Sequence, residues 1–268
     1  MAEAERIGLI AGDGTLPVTL ARRLEAQGLL AIVIVLQGNT ERFGLGPDLV
    51  IGMPPGMIKR ILKKLKAYNV NRIIMLGTIS KQGFIERKGF DLYALKAFKR
   101  LRNDNDMTLF GIINETFEEW GMTVLPQDKY LADCIANTGV LTKKKPRGGM
   151  MDDAVFGMGL TRQFASMDIG QSIVVKNGTV LAIETVEGTD ETIRRGGALG
   201  KKGSVVCKAA RKNQDPRFDI PAVGAHTITT MAHSGCAMIA LEAGRMFLVD
   251  RDETIRLADS HGIVIVGV

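Results

Sequence analysis

Residues 7 to 17 read IGLIAGDGTLP. The stretch up to Ala11 is short and apolar, as a buried strand would be. The glycines at 12 and 14 then lead into apolar residues at helical spacing from Pro17 onward. Because a run of consecutive apolar residues fits a strand covered on both faces, the stretch predicts the first strand and helix of an α/β sheet.

The rest of the first half repeats this alternation. Strands are predicted at 30–36, 72–76 and 122–125, and helices at 57–68, 91–102 and 106–120. Strands that alternate with helices imply parallel pairing with right-handed crossovers. We therefore expect a Rossmann-like parallel-sheet N-terminal domain over residues 1–136.

The second half has a different pattern. Residues 172–183 form two apolar runs around Asn177-Gly178, a strong hairpin signal. Further strands are expected at 204–208, 236–240, 246–249 and 263–266, with helices at 152–167, 190–195, 227–234 and 252–260. This pattern predicts a C-terminal α+β domain over 145–268, with 137–144 as a linker.

Composition narrows the class of protein. The 268 residues are 46% hydrophobic and 24% charged, with three cysteines and a net charge of +6, which excludes disorder and a disulfide scaffold. The basic excess suits an anionic partner. Acidic residues stand where a signal peptide needs basic ones, so we expect a cytoplasmic protein.

Two turns in the first half are candidate phosphate sites. Gly12, Asp13 and Gly14 join a strand to a helix, where backbone N–H groups can meet a phosphate. Pro17 replaces the third glycine of the dinucleotide fingerprint, so a mononucleotide or nucleotide-sugar site and an empty tight turn remain equal alternatives. Gly77 and Thr78 end another strand, where an ordinary loop exit is the favoured alternative.

Two segments of the second half could bind metal or phosphate. Glu187 and Asp190 could hold a hard cation such as Mg²⁺, and Arg194 and Arg195 could clamp phosphate oxygens. Read alone, this pattern is weak, because capped surface helices often look like this. Asp219 follows a basic loop and could bind metal or accept a proton from water, although spacing alone favours a solvated loop.

Several of these segments together resemble one family. The motifs are IGLIAGDGTLP at 7–17, MDIGQ at 167–171, EGTD at 187–190, KA at 208–209, FDIP at 218–221 and EAGR at 242–245. Their order and spacing resemble the UDP-2,3-diacylglucosamine pyrophosphatases of the LpxI type over nearly the whole chain. Two positions depart from the family pattern: Asp13 stands where a glycine is common, and 103–105 read Asn-Asp-Asn.

The resemblance implies a Mg²⁺-dependent hydrolase of lipid A biosynthesis, acting as a homodimer on a UDP-linked glycolipid. Water would attack the α-phosphorus of UDP-2,3-diacylglucosamine and release UMP and 2,3-diacylglucosamine 1-phosphate. The family's essential aspartate corresponds to Asp219. Peripheral contact with the inner membrane is left open, and nucleic acid is not an expected partner.

With the resemblance, the candidate residues take expected roles. Asp219 is the expected catalytic residue, and Asp219, Glu187 and Asp190 are the expected metal ligands. The expected substrate-binding residues are Gly12, Asp13, Gly14, Gly77, Thr78, Gly188, Thr189, Arg194, Arg195 and Lys208. The alternatives are another nucleotide-sugar or NAD-dependent enzyme, and a basic nucleotide- or nucleic-acid-binding protein; the lack of a stacking platform argues against nucleic acid.

Overall fold

A computed structural model of the chain describes residues 5–79, 89–98 and 106–268. The chain divides into two compact units. Unit 1 comprises Met1–Tyr130 and Pro216–Asp219, and unit 2 comprises Leu131–Asp215 and Ile220–Val268. A short segment that is distant in sequence therefore belongs to the N-terminal unit.

Unit 1 is built on a parallel sheet. Its strands are β1 (Ile7–Ala11), β2 (Leu30–Val35), β3 (Val50–Gly52), β4 (Arg72–Leu76) and β5 (Thr123–Val124), in the order β3-β2-β1-β4-β5. Every adjacent pair is parallel. The chain order reverses direction on either side of β1, which makes the carboxyl ends of β1 and β4 the switch point of the sheet.

Helices cover this sheet. They are α1 (Leu16–Ala26), α2 (Ile58–Ala67), α3 (Leu92–Phe98) and α4 (Asp106–Glu119), with 3₁₀ turns at Glu41–Phe43 and Gln127–Tyr130. The apolar face of α2 packs against buried side chains of β1, β2 and β4 in one cluster. All five residues of β1 are buried, as its unbroken apolar run requires.

Unit 2 is built on a mixed six-stranded sheet. Its strands are β6 (Gly139–Val140), β7 (Ser172–Lys176), β8 (Thr179–Ile183), β9 (Ser204–Lys208), β11 (Cys236–Leu241) and β13 (Val264–Gly267), in the order β6-β13-β11-β9-β7-β8. β9, β11 and β13 are parallel, whereas β6, β7 and β8 pair antiparallel to their neighbours. A separate pair joins β10 (Ala222–Val223) to β12 (Phe247–Leu248).

Two hydrophobic clusters occupy the two faces of this sheet. Helix α5 (Met150–Ser166) packs on one face, in a cluster with Ile173 and Val205. Helices α6 (Thr189–Gly200), α7 (Ala225–His233) and α8 (Arg251–His261) pack on the other, with Val174 and Val206. Alternate strand residues thus point to opposite layers. A 3₁₀ turn at Ala132–Cys134 completes the described elements of this unit.

The predicted fold class is confirmed: the N-terminal half carries a parallel α/β sheet and the second domain a mixed sheet with helices. Strand β3 was missed because it has three residues and is only half buried. The stretch 137–144, predicted as a linker, holds β6, which pairs with β13 in unit 2. That strand is two exposed residues long, too short to show a period in sequence.

Candidate functional site

The turn between β1 and α1 is locked against the exit of β4. The amide of Gly12 donates to the carbonyl oxygen of Leu76 at 2.8 Å, and the amide of Asp13 donates to that of Thr78 at 2.7 Å. Thr78 returns a hydrogen bond from its own amide to Asp13 at 3.0 Å, which makes a small antiparallel bridge. The switch point of the sheet is therefore closed by backbone pairing.

This close approach explains two of the glycines. A Cβ atom on Gly12 would lie 2.5 Å from the carbonyl oxygen of Thr78. Gly77 has φ +99°, and a Cβ atom there would lie 2.6 Å from the carbonyl oxygen of Asp13. Contacts this short exclude any side chain unless the backbone moves. The packing of the two turns thus accounts for both glycines without a ligand.

Asp13 is neutralised by an arginine that the sequence analysis did not single out. The Oδ1 atom of Asp13 accepts the amide of Gly14 at 2.9 Å and Nη1 of Arg42 at 2.6 Å. Arg42 also donates to the carbonyl oxygens of Gly14 at 3.2 Å and Gly12 at 2.5 Å. Arg42 lies 29 positions from Asp13, so no local spacing could have revealed the pair.

These contacts bear on the predicted phosphate site at this turn. The backbone N–H groups of Gly12, Asp13 and Gly14 are all engaged within the protein. The turn as folded therefore does not present them as a phosphate cradle. Substrate binding at this edge of unit 1 stays a prediction, as do the roles of Gly77 and Thr78.

The segment Pro216–Asp219 is anchored in unit 1 by an aromatic stack. The ring of Phe218 lies 4.6 Å from that of Phe110 at an interplanar angle of 7°, and Phe218 is buried in the cluster beneath the sheet. Arg217 donates to the side-chain oxygen of Asn114 at 2.7 Å. The anchor fixes the backbone immediately before Asp219.

Gln127 ties the same segment to the central sheet. Its amide donates to the carbonyl oxygen of Pro216 at 2.7 Å, and its side-chain amide donates to that of Met75 in β4, also at 2.7 Å. Gln127 is buried, so both hydrogen bonds lie away from water. The segment is therefore held from both sides.

Asp219 itself is exposed and has a strained backbone. Its φ is +52°, the left-handed region that non-glycine residues seldom adopt. Residues held in such conformations cluster at functional sites, where the surrounding structure enforces them. The firm anchor at Phe218 and the unusual backbone at Asp219 together support the predicted importance of this carboxylate.

In unit 2, the motif residues meet at one edge of the mixed sheet. β9 ends at Lys208, directly opposite Ser172, the first residue of β7. β8 ends at Ile183 on the same edge, and Glu184 and the segment leading into α6 follow it. The motifs at 167–171, 187–190 and 208–209 are thus brought together by strand pairing.

A short hydrogen-bonded chain runs through this edge. The ammonium of Lys208, which is only 8% exposed, donates to the hydroxyl of Thr189 at 2.9 Å. That hydroxyl donates to Oε1 of Glu184 at 3.0 Å, and Oε2 of Glu184 accepts the amide of Gln171 at 3.3 Å. The chain holds a buried cation beside the first turn of α6, whose N–H groups favour anions.

Glu187 is held as a carboxylate by its neighbours. Hydrogen bonds from the hydroxyl of Thr185, from its own backbone amide and from Arg195 lower the pKa of Glu187 to about 2. Thr192 also donates to Oε1 of Glu187, at 3.4 Å. Arg195 further donates to the carbonyl oxygen of Ile183 at 2.9 Å, so this guanidinium is engaged within unit 2.

The neighbouring charges also have partners within unit 2. Asp190 Oδ2 lies 3.0 Å from Nε2 of His226, and Arg194 pairs with Glu191 at 3.0 Å on the exposed side of α6. The predicted clamp of Arg194 and Arg195 is therefore not assembled in this conformation. Arg194 takes part in an ordinary surface ion pair instead.

Sequence reasoning assigned no role to Glu242, which organises the adjacent part of the edge. This buried carboxylate accepts Nε of Arg162 and the amide of Ala210, both at 3.0 Å, and also pairs with Arg245. Arg245 donates to the carbonyl oxygen of Arg211 at 2.5 Å. The motif at 242–245 thus fixes the loop that follows Lys208.

The predicted metal ligands are not grouped. Within residues 5–79, 89–98 and 106–268, no three His, Cys, Asp or Glu side chains are placed to hold a metal ion. Asp219 belongs to unit 1, whereas Glu187 and Asp190 belong to unit 2 and are engaged by Arg195 and His226. The described side chains therefore do not by themselves fit a complete Mg²⁺ site. Residues 103–105, which the sequence analysis also noted, lie outside the described residues.

The comparisons with known proteins decide the family. The family sequence models described as the LpxI N-terminal domain and the LpxI C-terminal domain match residues 6–134 and 137–266. The chain belongs to the LpxI family. This assignment corrects the basis of the resemblance: the family is defined by two domain models that together match most of the chain, and not by short motifs.

A curated relative of the LpxI family covers almost the whole chain. It is named UDP-2,3-diacylglucosamine pyrophosphatase LpxI, comes from Caulobacter vibrioides and is 32% identical over 279 residues, covering 98% of this chain and 97% of the relative. Among solved structures, a UDP-N-acetylglucosamine 3-dehydrogenase, GnnA, from Acidithiobacillus ferrooxidans is similar to this chain. The match covers 69% of this chain and 59% of the GnnA chain. Its sequence identity is 17% and its TM-score 0.27, too low to support any argument. In the part of the chain that the structure describes, no helix has the length and apolar character needed to cross a bilayer.

Proposed function

We propose that this chain hydrolyses the pyrophosphate bond of UDP-2,3-diacylglucosamine and thereby acts in lipid A biosynthesis. The observation that carries the proposal is the match of both halves to the LpxI family, together with the named activity of a relative that aligns over 98% of the chain. The products are UMP and 2,3-diacylglucosamine 1-phosphate.

The geometry supports two roles within this proposal. The buried ammonium of Lys208, beside the first turn of α6, offers positive charge to phosphate oxygens in unit 2. Asp219 offers an exposed carboxylate on a rigid anchor in unit 1. We assign Asp219 to activate or orient the attacking water, since a carboxylate held in place can accept its proton.

The bond changes in the proposed reaction are simple. The water oxygen bonds to the α-phosphorus, and the bond from that phosphorus to the bridging oxygen breaks. The bridging oxygen leaves with the sugar phosphate, and the proton from water passes to the carboxylate of Asp219. Hydrolysis in ¹⁸O-labelled water should therefore place the label in UMP; label in the sugar phosphate would show attack on the β-phosphorus.

A requirement for Mg²⁺ is part of the proposal. Mg²⁺ neutralises charge on a diphosphate, and proteins commonly bind it through one or two carboxylates together with the phosphates of the substrate. Such a site needs no group of three protein ligands, which is compatible with one contribution from Asp219. Glu187 and Asp190 are the further candidates, once released from Arg195 and His226.

The activity assay tests these assignments together. Purified protein is incubated with UDP-2,3-diacylglucosamine and Mg²⁺, and UMP release is measured with and without a chelator. We expect hydrolysis that stops with the chelator and falls by at least about a thousandfold in Asp219→Ala, the scale of losing an essential catalytic group. Asp215→Ala, in the same loop, is the matched control. Near wild-type activity of Asp219→Ala would remove that residue from the mechanism.

Homodimer formation and peripheral contact with the inner membrane complete the proposed function. Sedimentation at several protein concentrations tests the first: a monomer at all concentrations would contradict it.

A further inference from the structure

The outward face of α2 is a continuous cationic surface. Five of the ten residues of this helix are basic, none is acidic, and the basic ones are Lys59, Arg60, Lys63, Lys64 and Lys66. With 3.6 residues per turn, all five fall within one arc of the helix, opposite the buried side chains of Ile61, Leu62 and Leu65. We call these five residues the basic face.

The cations of the basic face are unpaired within the described residues. None of them lies within 4 Å of a described carboxylate oxygen. Arg60 reaches the sulfur of Met57 at 4.0 Å, and Lys64 lies over the ring of Tyr68 at 5.3 Å. The neighbouring Asp91 caps the start of the helix by accepting the backbone amide of Lys59.

Several arginines on other helices, in contrast, form ion pairs with carboxylates. On α6, Arg194 and Arg195 pair with carboxylates, and Arg162 on α5 pairs with buried Glu242. A solvated surface helix usually interleaves charges of both signs, because like charges one turn apart repel. On the basic face the five cations repel one another without an acidic residue between them, and an external anionic partner would reduce this repulsion.

We propose that the basic face docks unit 1 on the anionic surface of a phospholipid bilayer. The choice of a bilayer rests on the proposed function, because a diacylated substrate resides in a membrane. The apolar side of α2 is consumed by the core of unit 1, so it cannot insert between acyl chains as free amphipathic helices do. Docking is therefore electrostatic and confined to the headgroups, where each lysine contributes through the surface potential.

The composition of the basic face favours lipid over nucleic acid. Single-stranded nucleic acid is bound by cations interleaved with aromatic side chains on which bases stack. Tyr68 adjoins the face; its ring is covered by Lys64, and its hydroxyl donates to the carbonyl oxygen of Asp48 at 2.9 Å. Among the residues that the structure describes, the face is a row of cations without a stacking platform, which suits a flat anionic surface.

The test measures binding of the full chain to vesicles. The triple variant Lys59→Gln, Lys63→Gln and Lys66→Gln removes exposed cations without touching the buried side of α2. The matched control, Lys143→Gln, Lys145→Gln and Lys202→Gln, removes three exposed cations from unit 2. Circular dichroism melts verify that both variants fold.

We expect the wild type to co-sediment with vesicles that contain phosphatidylglycerol and not with pure phosphatidylcholine. Neutralising the three lysines of α2 should weaken binding about fivefold per lysine, or about a hundredfold in all, while the control variant binds as the wild type does. Higher salt should release the wild type.

Three results would overturn the docking proposal. They are equal binding to both kinds of vesicle, equal loss in the two triple variants, and a loss of homopolymeric RNA binding in the α2 variant with vesicle binding unchanged. Hydrolysis of detergent-dispersed substrate separates this proposal from the function: it should be the same in the α2 variant and the wild type. Vesicle binding without any hydrolysis by the wild type would refute the function and leave the docking surface standing.

Discussion

The ammonium of Lys208 lies 2.9 Å from the hydroxyl of Thr189, at the edge where β9 ends and α6 begins. The same hydroxyl donates a hydrogen bond to Oε1 of Glu184 at 3.0 Å. A single threonine therefore links a buried cation to a carboxylate across two segments of unit 2. Its hydroxyl therefore acts as donor and acceptor at the same time.

Removing this hydroxyl should destabilise the chain and disturb the charge beside α6. Thr189→Val leaves the buried ammonium of Lys208 without one acceptor, which we expect to lower the free energy of unfolding by about 1–3 kcal/mol. Thr189→Ser keeps the hydroxyl and should cost less than half as much. Urea denaturation measures both variants; a loss in Thr189→Ser as large as that in Thr189→Val would contradict a dominant role of the hydroxyl, because serine keeps the hydroxyl and valine keeps the methyl group.

The β1–α1 turn should be intolerant of any side chain at Gly12. A Cβ atom would lie 2.5 Å from the carbonyl oxygen of Thr78, so Gly12→Ala must force the two turns apart. We expect thermal denaturation to show a loss of about 1–3 kcal/mol, typical of overpacking. Gly46→Ala is the control, since a Cβ atom there meets open space. Similar melting temperatures for the two variants would contradict the packing argument.

The aromatic anchor should matter for both stability and catalysis. Phe218→Ala removes a buried ring that stacks on Phe110, and we expect it to cost about 3–5 kcal/mol of unfolding free energy. Because Asp219 is the next residue, kcat should fall even under conditions where the variant is folded. Phe156, a phenylalanine of α5 that is 42% exposed, supplies the control: Phe156→Ala should change urea midpoints little.

Glu187 should make stability depend on pH in the acidic range. Its pKa in the folded chain is about 2, against 4.5 without those interactions, so its stabilising contribution is complete above about pH 5. Below pH 4.5 the unfolded chain takes up the proton first, and the contribution is lost as the pH falls toward 2. The difference in urea midpoint between the wild type and Glu187→Gln should shrink over this range.

A second variant isolates the cause of the Glu187 pKa. The hydrogen bond from Thr185 is the largest influence on it, so Thr185→Val should move the acid-sensitive range toward pH 4.5. A Glu187→Gln effect that stays constant from pH 6 to pH 2 would mean that Glu187 gains no stabilisation from its charged form.

Much of the fold was predictable from local patterns. The apolar runs of β1 and β2 predict strands buried on both faces, and Asn177-Gly178 predicts the β7–β8 hairpin, because turn chemistry and period are local properties. The two-residue strands β6 and β10 are too short to show any period, and β6 pairs with β13, which is distant in sequence.

The sequence indicated which residues could belong to the candidate site, but it did not indicate which side chains contact one another there. Lys208 and Thr189 were singled out separately, but their contact depends on β9 pairing next to β7 and on α6 starting at the same edge. Asp13 was expected among the substrate-binding residues, and its side-chain partner in the fold, Arg42, lies 29 positions away. Long-range ion pairs follow from the tertiary fold, which spacing along the chain does not encode.

The placement of Phe218 also has a consequence for synthesis of the protein. On the ribosome, residues up to Tyr130 emerge long before residue 218. The ring of Phe110 therefore lacks its stacking partner, Phe218, until about ninety further residues have been synthesised. A fragment that ends at residue 134, where the match to the family's N-terminal domain ends, would lack Phe218 and so could not form this stack. The N-terminal unit is therefore discontinuous in sequence. To reproduce it as an isolated protein, the tetrapeptide Pro216–Asp219 must be included, joined by a linker or by circular permutation.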